Sequence, residues 1–352
     1  MIYLFIYLSL FEIYFDINSF KNIESYKSNG FTEQKEFPFF KNNVKTGIAP
    51  KSCIFSNDSK YIYVSLLHDK EVGVQIFDLK LNKIKNIQPF CKDKTKNIGY
   101  PESDFGSDDK FYFTRMTTGE FFIYDTESSS VETYKTKGIW SKIIKISEDN
   151  KYALISNWLS DTISVFDINK KKVIKLIKTK KIPRGIAFID EKIIAVAIYQ
   201  DGVVQIFDIE KNKLLKEIKV FNKANIRDIE FDKEKQLLYF SDMYNGYVFK
   251  YDYKKQKLLS KVKVFQNTNS IRLTKDGKYI FVSSRGPNNK RNYTLKSPEN
   301  GILFLIDTEK FEIIKKWEGG NQPTGVGLSK DGKYLCTTDF LDDNLNLYVI
   351  GE

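Results

Sequence analysis

The feature that most constrains this fold is a short pattern that recurs along almost the whole chain, an aromatic or apolar residue followed by Asp at the end of an alternating segment. Its fullest copy, residues 151–178, predicts strand, loop, strand, turn and strand. Successive copies are 41 to 55 residues apart, the period of a four-stranded propeller blade. The copies are Phe77-Asp78, Tyr124-Asp125, Phe166-Asp167, Phe207-Asp208, Tyr251-Asp252, Ile306-Asp307 and the related Tyr348-Val349.

Each copy predicts four antiparallel strands, a to d. Strand a is short and apolar, as in Ile186–Phe188, and strand b is a continuous apolar run, as in Tyr61–Val64. Strand c alternates, as in Thr162–Phe166, because one of its faces is more buried. Strand d carries lysines, as in Leu214–Ile218, which suit an exposed edge that must not pair with other chains. Seven such units predict an all-β, seven-bladed β-propeller of four-stranded antiparallel blades.

The last unit stops after strand c, so another segment must complete its blade. The segment Glu36–Lys41 is the strand-like stretch directly before the first unit, and Pro38 is tolerable in an outer edge strand. We expect it to close the ring by pairing with Asn344–Ile350. The expected domains are therefore an apolar segment over residues 1–35 and the propeller over residues 36–352.

The N-terminal residues and the overall charge bear on location and partners. Residues 1–11 are almost wholly apolar, like a signal-peptide core, an extra strand or a misplaced start of the sequence, but no Lys or Arg precedes Lys21. We expect export to the cell envelope or periplasm, with a cytoplasmic protein as the alternative and membrane contact only through residues 1–15. The net charge of +11 comes from dispersed lysines, which favours a solvated, monomeric protein.

The three cysteines, Cys53, Cys91 and Cys336, lack C-x-x-C spacing. They predict neither a disulfide framework nor a zinc site. Cys53 and Cys336 fall in apolar strands and are interpreted as small core residues.

These repeats resemble the YVTN-repeat seven-bladed propellers, a group that includes surface-layer-like and lactonase-like proteins. Residues 154–157, Leu-Ile-Ser-Asn, stand where that family has Tyr-Val-Thr-Asn, and residues 161–167 match its following strand. Pro183-Arg184-Gly185 and Pro323-Thr324-Gly325 resemble its Pro-x-Gly start of strand a. The resemblance implies the propeller over residues 36–352. It implies no single activity, because the family includes binding proteins, lactonase-like enzymes and cofactor-holding domains.

Aligning the units places one residue per blade at the start of strand a, where the mouth of the central channel is expected. A second set lies at or just after the end of strand b. We predict a non-catalytic propeller that binds an anionic small molecule or protein partner at this mouth, with no cofactor, through cationic and aromatic side chains. The predicted binding residues are Lys51, Lys142, Arg184, Arg227, Arg115, Trp158, Tyr199, Arg285 and Phe340. The alternative is that nearby carboxylates neutralise these cations in structural ion pairs.

Two other functions remain open. A lactonase-like hydrolase would need a divalent cation held by oxygen ligands, for which the candidates are Glu102, Asn157, Asp242 and Asp339. His68 is the only histidine, so histidine-based metal or triad chemistry is unsupported, and we interpret it as an exposed loop residue. A nucleic-acid-binding propeller is the third possibility and is unfavoured, because no specific motif is present.

The sixth unit is longer than the others because residues 285–301 are inserted between strands b and c. This segment follows neither strand nor helix periodicity and is rich in turn residues, which predicts a loop. It either covers part of a pocket at the channel mouth or is a surface excursion.

Overall fold

The computed structural model describes residues 38–68, 72–89 and 99–350. They form 28 strands in seven four-stranded antiparallel sheets, which confirms the predicted all-β, seven-bladed propeller. No helix that could cross a membrane occurs in these ranges. The N-terminal segment over residues 1–35, with its proposed export or membrane role, and Cys91 lie outside the described residues, so those expectations stay predictions.

The innermost strands, a, surround the central channel. Each of them contacts the strand a of the next blade. In chain order they are β2 (Pro50–Phe55), β6 (Ser103–Phe105), β10 (Ser141–Ile146), β14 (Pro183–Phe188), β18 (Ile226–Asp232), β22 (Thr268–Leu273) and β26 (Pro323–Leu328).

Strand b is almost wholly buried because neighbouring blades cover both of its faces, as its unbroken apolar run predicts. The core accordingly lies between adjacent blades. Phe240 and Phe249 of one blade, for example, share a hydrophobic cluster with Ile206 of the preceding blade. The b strands are β3 (Tyr61–Leu66), β7 (Lys110–Arg115), β11 (Tyr152–Asn157), β15 (Ile193–Ile198), β19 (Leu237–Asp242), β23 (Tyr279–Ser284) and β27 (Tyr334–Asp339).

Strand c ends at the repeated Asp in six blades, and the structure explains why that residue recurs. Asp167 Oδ1 accepts a hydrogen bond from the backbone N–H of Lys170 at 2.9 Å, and Asp208 Oδ1 accepts the equivalent bond from Lys211 at 2.8 Å. The Asp therefore fixes the turn into strand d. The c strands are β4 (Val74–Asp78), β8 (Glu120–Asp125), β12 (Thr162–Asp167), β16 (Val203–Asp208), β20 (Tyr247–Asp252), β24 (Ile302–Asp307) and β28 (Asn344–Val349).

Six of the seven outermost strands, d, carry exposed lysines, as predicted for edge strands, and the lysines of the other, residues 315 and 316, are half-buried. The d strands are β5 (Lys83–Ile87), β9 (Val131–Lys135), β13 (Lys172–Lys178), β17 (Lys213–Lys219), β21 (Lys257–Lys263), β25 (Glu312–Glu318) and, from the start of the chain, β1 (Phe39–Lys45).

The ring closes where the first blade, β2–β5, meets the seventh blade. Strand β1 pairs antiparallel with β28, so the seventh blade consists of β26, β27, β28 and β1. The observed strand begins at Phe39 and extends past Lys41 to Lys45, later than the segment expected from the sequence. Strand β2 also contacts β26. At this seam the thiol of Cys53 lies 3.5 Å from the backbone carbonyl oxygen of Cys336, and both cysteines are free and buried, as interpreted from the sequence.

Candidate functional site

The start of every strand a and the end of every strand b lie on one face of the propeller. Pro50 pairs with Leu66, and Pro183 pairs with Ile198. This face surrounds one end of the channel, called the mouth below. Six of the seven aligned residues at the start of strand a are at most 8% exposed, and the seventh, Glu102, is partly exposed. The seven are Lys51, Glu102, Lys142, Arg184, Arg227, Asn269 and Thr324.

Four cationic side chains, Lys51, Lys142, Arg184 and Arg285, form a cation cluster at the mouth. Arg285 is the charge that acts most strongly on Lys51, and Arg184 is the charge that acts most strongly on Lys142. Within the described ranges none of the four forms an ion pair with an acidic side chain. Glu102 acts electrostatically on Lys51, Lys142 and Arg184, and Asp228 acts on Arg184 as well. The cluster therefore holds more positive than negative charge.

The lowered pKa values in the cluster show that burial disfavours the charged forms of these side chains. Burial, followed by the charge of Arg285, lowers the pKa of Lys51 well below its usual range. Burial and Arg184 do the same to the pKa of Lys142, and burial lowers the pKa of Arg285 to about 10. Because each cation is disfavoured in this environment, an added negative charge would stabilise all of them.

The cations of the cluster contact aromatic rings, whereas buried cations usually pair with carboxylates. The Lys142 Nζ lies 4.4 Å from the centroid of the Trp158 ring, and the Arg184 guanidinium lies 5.0 Å from the same ring. The Lys51 Nζ lies 5.3 Å from the Phe340 ring. Cation–π contacts of this kind leave the cation without a neutralising partner. The predicted aromatic residues and the predicted cations thus share one site.

Tyr199 and Trp140 extend this aromatic wall. Tyr199 lies edge-on to Trp158, with ring centroids 6.5 Å apart. Trp140, which the sequence analysis missed, lies 5.9 Å from Trp158 and 5.5 Å from the Lys142 Nζ. It occupies a loop before strand a that shows no strand periodicity, so no repeat signal marked it.

His68 lies at the same mouth, and its interpretation as an exposed loop residue is wrong. It is half-buried, and its ring centroid is 5.7 Å from that of Phe340. Its Nε2 is buried without a hydrogen-bond partner in the described structure. Burial, followed by the charges of Lys142 and Lys51, lowers the pKa of this imidazole. His68 is therefore favoured as a neutral side chain beside the cation cluster.

Two predicted binding residues have other partners. Arg115 is ion-paired with Glu120 in the hairpin of its own blade, and Lys135 Nζ lies 2.6 Å from the other oxygen of that carboxylate. Arg227 donates a hydrogen bond to the Asn269 side chain and lines the channel. The contact of Arg115 with Glu120 is therefore a structural ion pair, which the sequence analysis gave as the alternative to anion binding.

The four candidate oxygen ligands do not gather around one point. Asp242 accepts hydrogen bonds from the backbone of Asn225 at 2.8 Å and from Asn245 Nδ2 at 2.6 Å. Asp339 accepts from the Gly320 N–H at 3.0 Å and from Asn346 Nδ2. Asn157 is buried among hydroxyl groups of its own blade. In the described part of the chain no three His, Cys, Asp or Glu side chains are placed to hold a metal ion.

A small cavity in the channel is lined by Glu102 and Arg227 and by further charged side chains that were not predicted as site residues. Arg272 pairs with Asp228 at 2.9 Å and with Glu230 at 3.2 Å, while Lys145 lies 3.7 Å from Asp104. Glu102 lines this cavity and also acts on the cation cluster. In contrast to the mouth, this part of the channel has carboxylates for its cations.

The inserted loop, residues 285–301, is tied to the seventh blade beside the mouth. Arg285 donates to the Gln322 side chain, and Gln322 Nε2 donates to the carbonyl oxygen of Tyr293 at 2.8 Å. Lys296 pairs with Asp342 at 2.7 Å. The Arg285 guanidinium lies 5.8 Å from both the Tyr293 and the Phe340 rings. The loop therefore places one cation of the cluster and forms part of the wall around it.

Comparison with known proteins gives two results. Residues 22–224 match the family model described as lactonase, 7-bladed beta-propeller. The chain is also 31% identical over 320 residues to "Antigen Lp49" of Leptospira interrogans serogroup Icterohaemorrhagiae serovar copenhageni (strain Fiocruz L1-130), an alignment that covers 88% of this chain and 69% of that protein.

Proposed function

This chain belongs to the lactonase family of seven-bladed β-propellers, and from that premise we propose that it is a non-catalytic binding protein that holds a small anionic molecule at the cation cluster. The observation that carries the proposal is the convergence of four buried cationic side chains, from four blades or their loops, none of which forms an ion pair with a carboxylate among the described residues. Glu102 acts on three of the four, and burial raises the pKa of its carboxyl to about 7, so it offsets only part of their positive charge.

Electrostatics supports this proposal over a structural role for the cluster. Like charges that share a buried site destabilise one another. Removing one partner of a buried ion pair, which leaves the other charge uncompensated, costs about 3–5 kcal/mol. Two arginine Nε atoms, those of Arg184 and Arg285, are also buried without hydrogen-bond partners in the described structure. A bound carboxylate would accept these bonds and offset the charge, because guanidinium groups match carboxylates in geometry.

Titration with small anions tests the proposal. At constant ionic strength, we expect succinate or phosphate to raise the melting temperature of the protein, because a ligand bound only by the folded state stabilises it. The Arg184→Gln variant should bind at least about tenfold more weakly by calorimetry, which corresponds to about 1.4 kcal/mol.

Arg291→Gln is the matched control, because Arg291 is an exposed arginine on the inserted loop. It should bind like the wild type. The proposal fails if no anion changes the melting temperature when ionic strength is held constant, or if both arginine variants lose the same affinity.

The second candidate function is a lactonase-like hydrolase. The family match over residues 22–224 favours it, and Glu102 supplies a carboxylate in the channel cavity. The oxygen ligands expected for a divalent cation lie apart from one another among the described residues, so the hydrolase would have to rely on Glu102 itself. Burial is the main cause of a raised pKa for the Glu102 carboxyl, and a carboxyl in that state can act as a general acid or base.

A lactone assay separates the two candidates. If the binding proposal holds, purified protein should hydrolyse simple γ- and δ-lactones no faster than the Glu102→Gln variant does, with or without added divalent cations. Hydrolysis at least about tenfold faster than that of Glu102→Gln would favour the hydrolase. Circular dichroism of the variant checks that its fold is retained.

A further inference from the structure

Lys51 has surroundings unlike those of a surface lysine. It is the second residue of β2 and is 8% exposed. Its Nζ faces the Phe340 ring, and no carboxylate forms an ion pair with it in the described part of the chain. The charges that act on it are Arg285, Glu102, Arg184 and Lys142, in that order of strength. Three of these four are positive.

These surroundings favour the uncharged amine. Burial and the neighbouring cations lower the pKa of Lys51 well below its usual range. An uncharged lysine amine is a nucleophile toward carbonyl groups, and placing it in an apolar site next to another cation is a known way to activate it. Lys142 has a similarly lowered pKa, but it lies against two indole rings, which stabilise its charged form.

The arginines supply the second half of a recognition site. The buried Nε atoms of Arg285 and Arg184 lack hydrogen-bond partners in the described structure. Since the Lys51 Nζ lies 5.3 Å and the Arg285 guanidinium 5.8 Å from the centroid of the same Phe340 ring, a carboxylate held by Arg285 would lie close to the Lys51 amine. In a 2-oxo acid, the carbonyl carbon is bonded directly to the carboxylate carbon. A single small molecule of this class therefore matches both groups.

We propose that Lys51 captures 2-oxo acids as a Schiff base at the channel mouth, with Arg285 and Arg184 binding their carboxylate. This inference rests on the proposed anion-binding function. The Nζ lone pair attacks the carbonyl carbon, and the C=O electron pair moves to oxygen, which takes a proton from the nitrogen. The resulting carbinolamine loses one water molecule as the C=N bond forms. No oxidant or reductant is consumed. His68, whose ring centroid lies 5.7 Å from that of the Phe340 ring that Lys51 faces, can carry protons during these steps.

Reductive trapping tests the proposal. The full-length protein is incubated at pH 7 with pyruvate and cyanoborohydride, which delivers hydride to the imine carbon. Peptide mass spectrometry should then show Lys51 modified, with a mass gain equal to that of pyruvate less one oxygen atom. Acetone has the carbonyl group but no carboxylate, so it should label Lys51 at least about tenfold more slowly. Arg285→Gln should slow labelling by pyruvate toward the rate with acetone.

Variants at Lys51 separate this proposal from simple anion binding. Lys51→Arg removes the primary amine that forms the imine, so it should show no pyruvate adduct at residue 51. Lys60→Met, at an exposed lysine, should be labelled like the wild type. If pyruvate competes with succinate but labels no lysine, or labels surface lysines as readily as Lys51, covalent capture is wrong and anion binding stands. If neither anion binds, both proposals fail.

Discussion

A chain that begins at residue 47 is expected to unfold at a markedly lower temperature than one that begins at residue 37, because only the longer chain retains β1. That strand pairs with β28 from Phe39 to Lys45. Val44 packs against the hydrophobic cluster shared by the first and seventh blades, and the Phe40 and Tyr348 rings lie 5.6 Å apart. Losing one half-buried valine and several ladder hydrogen bonds should lower the free energy of unfolding by at least about 3 kcal/mol.

The matched pair of truncations isolates β1, because both chains lack residues 1–36. Chemical denaturation followed by circular dichroism gives the two free energies. The shorter chain should also self-associate in sedimentation experiments, because the edge of β28 is left unpaired. A full-length Val44→Asp variant should be destabilised in the same direction, while Asn42→Asp, at an exposed position of β1, should not. Equal stability of the two truncations would show that β1 does not close the ring.

Substitution of Gly185 by Ala is expected to lower the free energy of unfolding by about 2–3 kcal/mol. A Cβ at this position would lie 2.9 Å from the Cα of Asp228 and 3.0 Å from the backbone nitrogen of Ile229, so the strand a of the fourth blade, β14, would have to move away from that of the fifth, β18. The cost exceeds the gain of about 0.4–1 kcal/mol that Ala brings by restricting the unfolded chain. Because Arg184 is the preceding residue, anion affinity should fall as well.

Gly325→Ala should behave in the same way, since a Cβ there would lie 3.0 Å from the Cα of Ser52 and 2.9 Å from the backbone nitrogen of Cys53. Gly332→Asn is the control. Gly332 has a φ of +75° in a turn with no atom within 4 Å of a Cβ, and Asn150 occupies the equivalent turn in the third blade with a φ of +53°. Denaturant titrations measure all three variants. A Gly185→Ala protein as stable as the control would mean that β14 and β18 have room between them for an added methyl group.

The fold was predictable because its signals are local and repeat seven times. Each Asp at the end of strand c sets its own turn through bonds to residues two to four positions later, so its spacing marks the blades directly. The Pro-x-Gly segments are equally local in sequence. The requirement for glycine is not local, because the backbone of the neighbouring blade leaves no room for a Cβ at Gly185 or Gly325.

The site was predictable in part. Alignment of the units identified Lys51, Lys142 and Arg184 as neighbours, because equivalent positions in a ring face the same end of the channel. It could not separate Arg115 from them, although Glu120, its partner, lies only five residues further along the chain. His68 and Trp140 lie in loops without periodicity, and the pairing of Arg272 with Asp228 depends on distances between blades. Such contacts have no signature in one sequence.

Alkylation of the two thiols at the seam can measure how stably this ring is closed. Burial raises the pKa of Cys336 well above its usual range, and Cys53 is equally shielded at 4% exposure, so neither sulfur can be alkylated while the first and seventh blades are in contact. Their alkylation rates therefore measure how often the first and seventh blades separate locally under native conditions, as distinct from complete unfolding. Alkylation of these two buried cysteines would therefore report the opening of the junction at which the first and seventh blades close the ring.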